Sequence, residues 1–166
     1  TNFQKSAQGS GILMGKEVGA NVIGMADIQV HPCGTPGTGL MEMIRTSGRN
    51  RVFINTDGNR FVNEGAARDV LAKAIFAQKD STYYVLVNYP SLTWVDRNGA
   101  KVGDMIDLGR VVAADTLEEL AAKLKMPVEN LKSSIDTYNA VVRGEKKDPL
   151  GFLANNKADK VMTEGP

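Results

Sequence analysis

The chain has one cysteine and one histidine in 166 residues. A single cysteine, Cys33, excludes an internal disulfide. One histidine and one cysteine two positions apart, with no second pair, make too small a set for zinc, so no metal is expected. His31 is the only imidazole and no nucleophile elbow is present, so a serine or cysteine triad cannot be assembled from these parts. Charge of one sign is also lacking: the net charge is +1, which argues against nucleic acid or an anionic membrane as partner. The longest apolar runs are too short to span a bilayer. No basic-then-apolar leader is visible, an absence without weight for a piece of a longer chain. The dinucleotide fingerprint G-x-G-x-x-G is missing as well, and there is no internal repeat or low-complexity segment. Length and ordinary hydrophobic content fit one domain with a sizeable core.

What is present reads as alternating short elements. Gly9-Ser10-Gly11 opens a short helix over Ile12–Val18, with Ser10 as its cap and Gly19 as its end. The same glycine-rich start has the look of a phosphate cradle, against which stands the plainer reading of a turn and cap. Alternation over Asp27–Val30 predicts a strand that His31-Pro32 stops. Gly34–Gly39 is a loop. Leu40–Ile44 is apolar apart from Glu42 and reads as a short strand or one helical turn. Val52–Ile54 is a strand, Thr56-Asp-Gly-Asn59 a hairpin turn, and Arg60–Val62 the return strand. Ala66–Gln78 is a helix with Val70, Ala74 and Ala77 as its stripe and Leu71 and Ile75 beside it. Tyr83–Val87 is a strand, Tyr89–Asp107 irregular, and Arg110–Ala113 a short strand. Thr116-Leu-Glu-Glu119 is a capping box that starts a helix to about Lys125. After Pro127 comes a helix with Leu131, Ile135, Tyr138 and Val142 inward, closed by Gly144. Lys146–Pro166 is polar and loop-like. The order is not a regular βαβ alternation, so the fold class is α+β, not a Rossmann fold: short strands, a hairpin and about four helices.

Two charged groups draw the eye. Arg68 falls in the first turn of the Ala66–Gln78 helix, with Glu64 four residues before it and Asp69 beside it. Glu42 and Arg45 stand three apart upstream, and His31 further back. By residue type alone, a carboxylate between guanidiniums is either a structural ion network or a proton path. Cys33, two residues from His31, is likewise either a reactive thiol or a small loop residue.

The run Arg51-Val-Phe-Ile-Asn-Thr-Asp-Gly-Asn-Arg-Phe-Val-Asn-Glu64, followed by Ala67-Arg68-Asp69, resembles the capping (clamp) domain of the fumarate reductase and flavocytochrome flavoprotein family. Gly9-Ser-Gly-Ile12 with Glu17-Val-Gly-Ala20 is similar to that family's Gly-Asp-Gly helix. Ile28-Gln-Val-His-Pro32 is similar to its strand ending in His-Pro, and Thr116–Pro127 with Tyr138-Asn139 to its late helix pair. The resemblance implies FAD as cofactor, with Gly9, Ser10 and Gly11 near it, and a small unsaturated carboxylate as substrate. Arg68 matches the family's proton donor. Glu42 and Arg45 match the relay that recharges it. His31, Met41 and Glu42 match positions that hold the substrate. Met41 stands where the family has a threonine that grips a dicarboxylate, so fumarate itself is not carried over. Ser10 replaces the aspartate of Gly-Asp-Gly, and two extra residues near Arg49 shift the Glu42 and Arg45 register. Gly65-Ala-Ala-Arg-Asp-Val-Leu71 also resembles the urocanate reductase branch. A non-catalytic binding or structural module is the reading outside this family. The family's FAD-binding domain lies on both sides of such a segment. Residues 1–166 are therefore expected to be a capping domain excised from a larger reductase, inactive alone, of bacterial cytoplasm or periplasm, partnered by that FAD-binding domain or by a second copy of itself.

Overall fold

Three consecutive apolar residues in a strand must face two sides, because side chains alternate. Val52, Phe53 and Ile54 do so, at 0, 1 and 1% exposure. They lie in β1 (Arg51–Ile54). The computed structural model describes residues 5–36, 51–88, 99, 101–153 and 161–163. The other elements are α1 (Ser10–Glu17), α2 (Arg68–Phe76), a 3₁₀ turn (Lys79–Ser81), β2 (Tyr84–Val87), α3 (Val102–Asp107), α4 (Leu117–Leu124) and α5 (Val128–Val142). β1 pairs antiparallel with β2, Arg51 opposite Val87 and Ile54 opposite Tyr84. Val52 and Ile54 join Leu120 of α4 and Leu131, Ile135 and Tyr138 of α5 in one core cluster. Phe53 joins Val62 and Leu71 in a second, with Tyr83 and Val85 beside them. The strand pair is thus covered by α4 and α5 on one side and by α2 on the other. The fold is α+β, as the element order predicts. No helix among the described residues is long and apolar enough to cross a membrane.

The late helix pair follows its sequence closely. The Thr116 hydroxyl accepts from the Glu119 amide at 3.1 Å, as in a capping box, and Glu119 Oε2 reaches back to the amide of Asp115, one residue before the cap, at 3.1 Å. Leu131, Ile135, Tyr138 and Val142 are all buried on α5. Each such side chain contributes about 1.5–3 kcal/mol on leaving water. Gly144 closes the helix with φ +77°, a left-handed conformation that costs glycine little.

Elsewhere the expected elements change. Ser10 is the first residue of α1 rather than its cap; Gly9 caps it at φ +74° without a side-chain bond. Asp27–Val30 is not a strand among the described residues; Ile28 is 83% exposed, so the alternating face there meets nothing that would bury it. The turn at 55–59 forms, but the return strand shrinks to one bridge, Ile54 with Arg60. β2 pairs along the other edge of β1, Ile54 bridging both Arg60 and Tyr84. Arg110–Ala113 is not a strand, because the amides of Arg110 and Val111 are drawn to the Met105 carbonyl at the end of α3. α3 was hidden by Gly103; it buries Val102 and Met105, three apart. On α2 the buried residues are Leu71, Ala72 and Ile75, while Val70 is 48% exposed and Ala77 is exposed. The expected strand or turn at Leu40–Ile44 lies outside the described residues.

The turn is built by Asn55, whose Oδ1 accepts from the amides of Asp57 and Asn59. It docks on α5. Gly58, at φ +81°, leaves no room for a side chain: a Cβ would stand 3.0 Å from the Leu131 amide nitrogen and 3.1 Å from the Pro127 carbonyl oxygen. Ser134 Oγ donates to the Gly58 carbonyl at 2.8 Å and accepts from the Arg60 amide at 3.1 Å.

That docking carries Arg60 into the interior. Its guanidinium meets Glu64 at 2.8 Å and Asp148 at 2.9 Å, the three side chains being 4, 3 and 0% exposed. It also lies over the Tyr138 ring, 5.6 Å from the centroid. Burial alone would lower the Arg60 pKa; the hydrogen bonds and charges of Glu64 and Asp148 outweigh it and hold the group above the ordinary arginine range. Removing one partner of a buried pair strands the other charges. Arg60→Met is therefore expected to cost about 3–5 kcal/mol in urea unfolding of the chain, and a loss below about 1 kcal/mol would contradict a buried, mutually dependent network.

Candidate functional site

The chain leaving the turn reaches α2 through Asn63–Ala67. Asn63 Oδ1 accepts from the Gly65 amide at 2.9 Å, and its carbonyl accepts from Ala66 at 3.0 Å. Asn63 Nδ2 donates to the Gly151 carbonyl at 3.0 Å. Glu64 points inward, where its Oε1 takes both the Phe53 amide at 3.2 Å and Arg60 Nε at 2.9 Å. Its backbone carbonyl accepts from Arg51 Nη2 at 2.7 Å. The residues before α2 are thus tied to β1, to the turn and to the segment around Asp148. Ala67 is extended and caps the helix, and Arg68 is its first residue.

Arg68 is exposed, and its Nη1 donates to Gln29 Oε1 at 3.3 Å. Gln29 is two residues before His31. From there the segment runs along α2: Val30, His31, Pro32 and Cys33 face Ala72, Ile75 and Phe76 across a cavity of about 180 Å³. Arg68, Ala72 and Ile75 are four and three apart, which puts them on one stripe of the helix. The structure therefore brings Arg68 and the His31 segment to the same side of α2. Met41, Glu42 and Arg45 lie outside the described residues. Gly9, Ser10 and Gly11 open α1; Gly9 is left-handed, and a Cβ at Gly9 or Gly11 would meet nothing within 4 Å.

Tyr83 holds the segment in place. Its hydroxyl donates to the Pro32 carbonyl. Its ring lies 4.9 Å from that of Phe53 and 6.1 Å from that of Phe61, the spacing of favourable tilted and edge contacts. His31 Nδ1 and Cys33 Sγ are brought to the same side of the turn. Arg51 stacks on the Phe53 ring at 5.3 Å. Burial lowers the pKa of its guanidinium below the ordinary arginine range, with Glu64 opposing.

The FAD binding domain family matches residues 1–163. The chain belongs to that family. It is 36% identical over 81% of its length to an NADH:acrylate oxidoreductase of Vibrio harveyi, and covers 13% of that protein. It is 30% identical over 89% of its length to a urocanate reductase of Eggerthella lenta, covering 25% of it. An open conformation of a flavocytochrome c3 fumarate reductase superposes with a TM-score of 0.66 at 28% identity, over 95% of this chain and 27% of that one. The chain thus spans about a quarter or less of the relatives named here and about a quarter of that structure. The family's description carries FAD, the cofactor that the residue runs imply, and the relatives named here are an oxidoreductase and two reductases.

Sequence reasoning missed Arg60, Asp148 and Tyr83. The four-residue spacing of Arg60 and Glu64 was a usable signal. Asp148, 88 residues from Arg60, offered none.

The Tyr83 phenol is pushed up to about 12, by burial first and then by the neighbouring Cys33, with Arg51 opposing. An unfolded phenol titrates near ~10, so its neutral form is the one the fold favours. The stability it contributes is complete below about pH 10 and is lost as pH rises through about 12. Between about pH 9 and about pH 11.5, wild type should lose more unfolding free energy than Tyr83→Phe; equal losses would show that the phenol is not buried as described.

Proposed function

We propose that the chain is the substrate-capping domain of an FAD-dependent ene-reductase that reduces the C=C bond of a small unsaturated carboxylate. The observation that carries the reading is the exposed guanidinium of Arg68 at the head of α2, held by Gln29 beside the segment that bears His31. When bound and reduced, FAD supplies the hydride. Arg68 delivers the proton to the neighbouring carbon of the substrate. A guanidinium does this repeatedly only if a carboxylate recharges it quickly, the role assigned to Glu42 with Arg45 as the link to solvent. That assignment rests on their Glu-x-x-Arg spacing and the family resemblance. His31, with Met41 and Glu42, orients the substrate carboxylate. Positioning and charge stabilisation in a closed, water-poor site supply the rest of the rate.

The residues present fit only an edge of the cofactor. The open backbone of Gly9, Ser10 and Gly11 admits close approach, whereas no dinucleotide fingerprint is present anywhere in the sequence. The remainder of the parent protein, in this reading, holds most of the FAD and covers the apolar side chains left exposed on residues 12–28, Leu13, Met14, Val18 and Ile23 among them. A second copy of the chain is the occupant that could replace it in isolation. A urocanate reductase-like activity is the second reading, favoured by the Gly65–Leu71 run and by the Eggerthella lenta relative.

Two outcomes test the proposal. In the intact parent, Arg68→Lys or Arg68→Ala should abolish reduction, by at least about a hundredfold, with flavin still bound; a variant that keeps its rate would mark the same charges as surface pairs of a non-catalytic module. The 166-residue chain alone should purify without stoichiometric yellow flavin and without turnover, and the opposite finding would end the excised-domain reading.

A further inference from the structure

Two arginines on the path into α2 are treated unequally. Arg60 has acceptors all along its fork: Glu64 and Asp148 take Nε, Nη1 and Nη2 between them. Arg51 is half-buried at the start of β1. Its Nε and Nη1 are out of reach of water and have no acceptor among the described residues. Nη2 donates to the Glu64 carbonyl at 2.7 Å. The neighbouring carboxylates are already spent. Glu64 gives both oxygens to Arg60 and one of them also to the Phe53 amide. Asp148 serves Arg60 and the Phe152 amide. The electrostatics record the difference: burial is outweighed at Arg60 and prevails at Arg51. Buried polar groups are ordinarily satisfied, and an ionised donor kept from water without an acceptor is costly.

We propose that Arg51 is a binding site for a singly charged carboxylate, received on the free edge of its guanidinium on the α2 side of the sheet. Three features fix the class. A guanidinium carries its N–H donors in a planar fork. Nη2 has two of them and spends one on the Glu64 carbonyl. Whichever one that is, the other completes a two-donor edge with Nη1 or with Nε, and such an edge matches the two oxygens of a carboxylate. The flank is apolar: Arg51 and Phe53 share one face of β1, and the guanidinium lies 5.3 Å from the Phe53 ring centroid. Finally, Glu64 and Asp148 already stand around Arg60, and their charges disfavour a doubly charged anion such as phosphate. The carbonyl that Arg51 holds lies four residues before Arg68, so a bound acid is tied to the head of α2. This chemistry has two sources, a small free acid or an Asp or Glu side chain in the remainder of the parent. The inference stands on the guanidinium and does not use the ene-reductase reading.

The test needs no flavin. The 166-residue chain is titrated calorimetrically with acetate and, separately, with acrylate, against chloride at equal ionic strength. Saturable binding is expected, with Kd at or below about 10 mM, and the midpoint of thermal unfolding should rise with it. Phosphate should bind at least about tenfold more weakly. Arg51→Lys keeps the charge without the fork and should weaken the acids by at least about tenfold; Arg51→Met should abolish binding. Arg68→Ala should keep it. Absence of saturable binding to the wild-type chain overturns the proposal. So does phosphate bound as tightly as acetate, or binding that survives in a folded Arg51→Lys chain or is lost with Arg68 instead. Should Arg51→Met unfold, the lysine variant decides alone. The intact parent separates the two sources. If the ligand is a free acid, the parent binds acetate too, and Arg51→Lys raises KM for the unsaturated acid while kcat stays within about twofold. If the parent supplies the carboxylate, it does not bind acetate, and Arg51→Lys lowers its unfolding midpoint with KM unchanged. Binding by the chain together with a parent that reduces no alkene would end the ene-reductase reading and leave this site standing; a working reductase whose chain binds no acid would do the reverse.

Discussion

The carboxylate of Glu64 holds two parts of the molecule at once. It takes the guanidinium of Arg60 with both oxygens and the amide of Phe53 with one of them. Arg60 is simultaneously committed to Asp148, and Asp148 accepts from the Phe152 amide at 3.0 Å. Three charges with almost no contact with water cannot be rearranged cheaply, since any one left alone carries its full desolvation cost. Such a network is weak evidence for extra stability, because an apolar replacement of the whole set can be neutral. It is better understood as fixing geometry: the turn, β1, the start of α2 and the segment around Asp148 must all be in register for the three groups to meet.

From that constraint the exposed chemistry follows. The side chain that follows Glu64 by four residues is placed at the head of α2, outside the core, with its charge available. Beside it runs a segment without regular secondary structure, in which Gln29 bonds Arg68 and the Pro32 carbonyl accepts from Tyr83. That segment also explains why a histidine and a cysteine two apart meet, since the turn around Pro32 bends them to one side.

Much of this was legible in the residues. The capping box at Thr116 and the four-three-four spacing on α5 describe local physics, and both helices stand where they should. The run of Val52–Ile54 reads as a strand because its neighbours bury either face. What was not legible depends on distant partners. A return strand at Arg60–Val62 shrinks to one bridge at Ile54, while Tyr84–Val87, further along the chain, pairs along the other edge of β1, and nothing local encodes that distant pairing. Asp27–Val30 alternates like a strand yet has no ladder partner among the described residues. Within α2 the stripe is rotated from Val70 toward Leu71 and Ala72, since the core side of the helix is set by where Glu64 anchors its start. Of the candidate site, Arg68 and His31 are named by resemblance, whereas Arg60, Asp148 and Tyr83 act through contacts that join residues as much as 88 apart.

The claim under all of this is that the buried ion network sets where α2 begins and thereby where Arg68 meets the Gln29–Cys33 strap. Hydrogen exchange with mass spectrometry on Asp148→Asn tests it most directly. The account predicts that amides in the first half of α2 and in residues 29–33 lose protection together, by about tenfold or more, while α4 keeps its own. Unchanged exchange at α2 and the strap, in a variant whose Arg60 has lost the charge of Asp148, would contradict it.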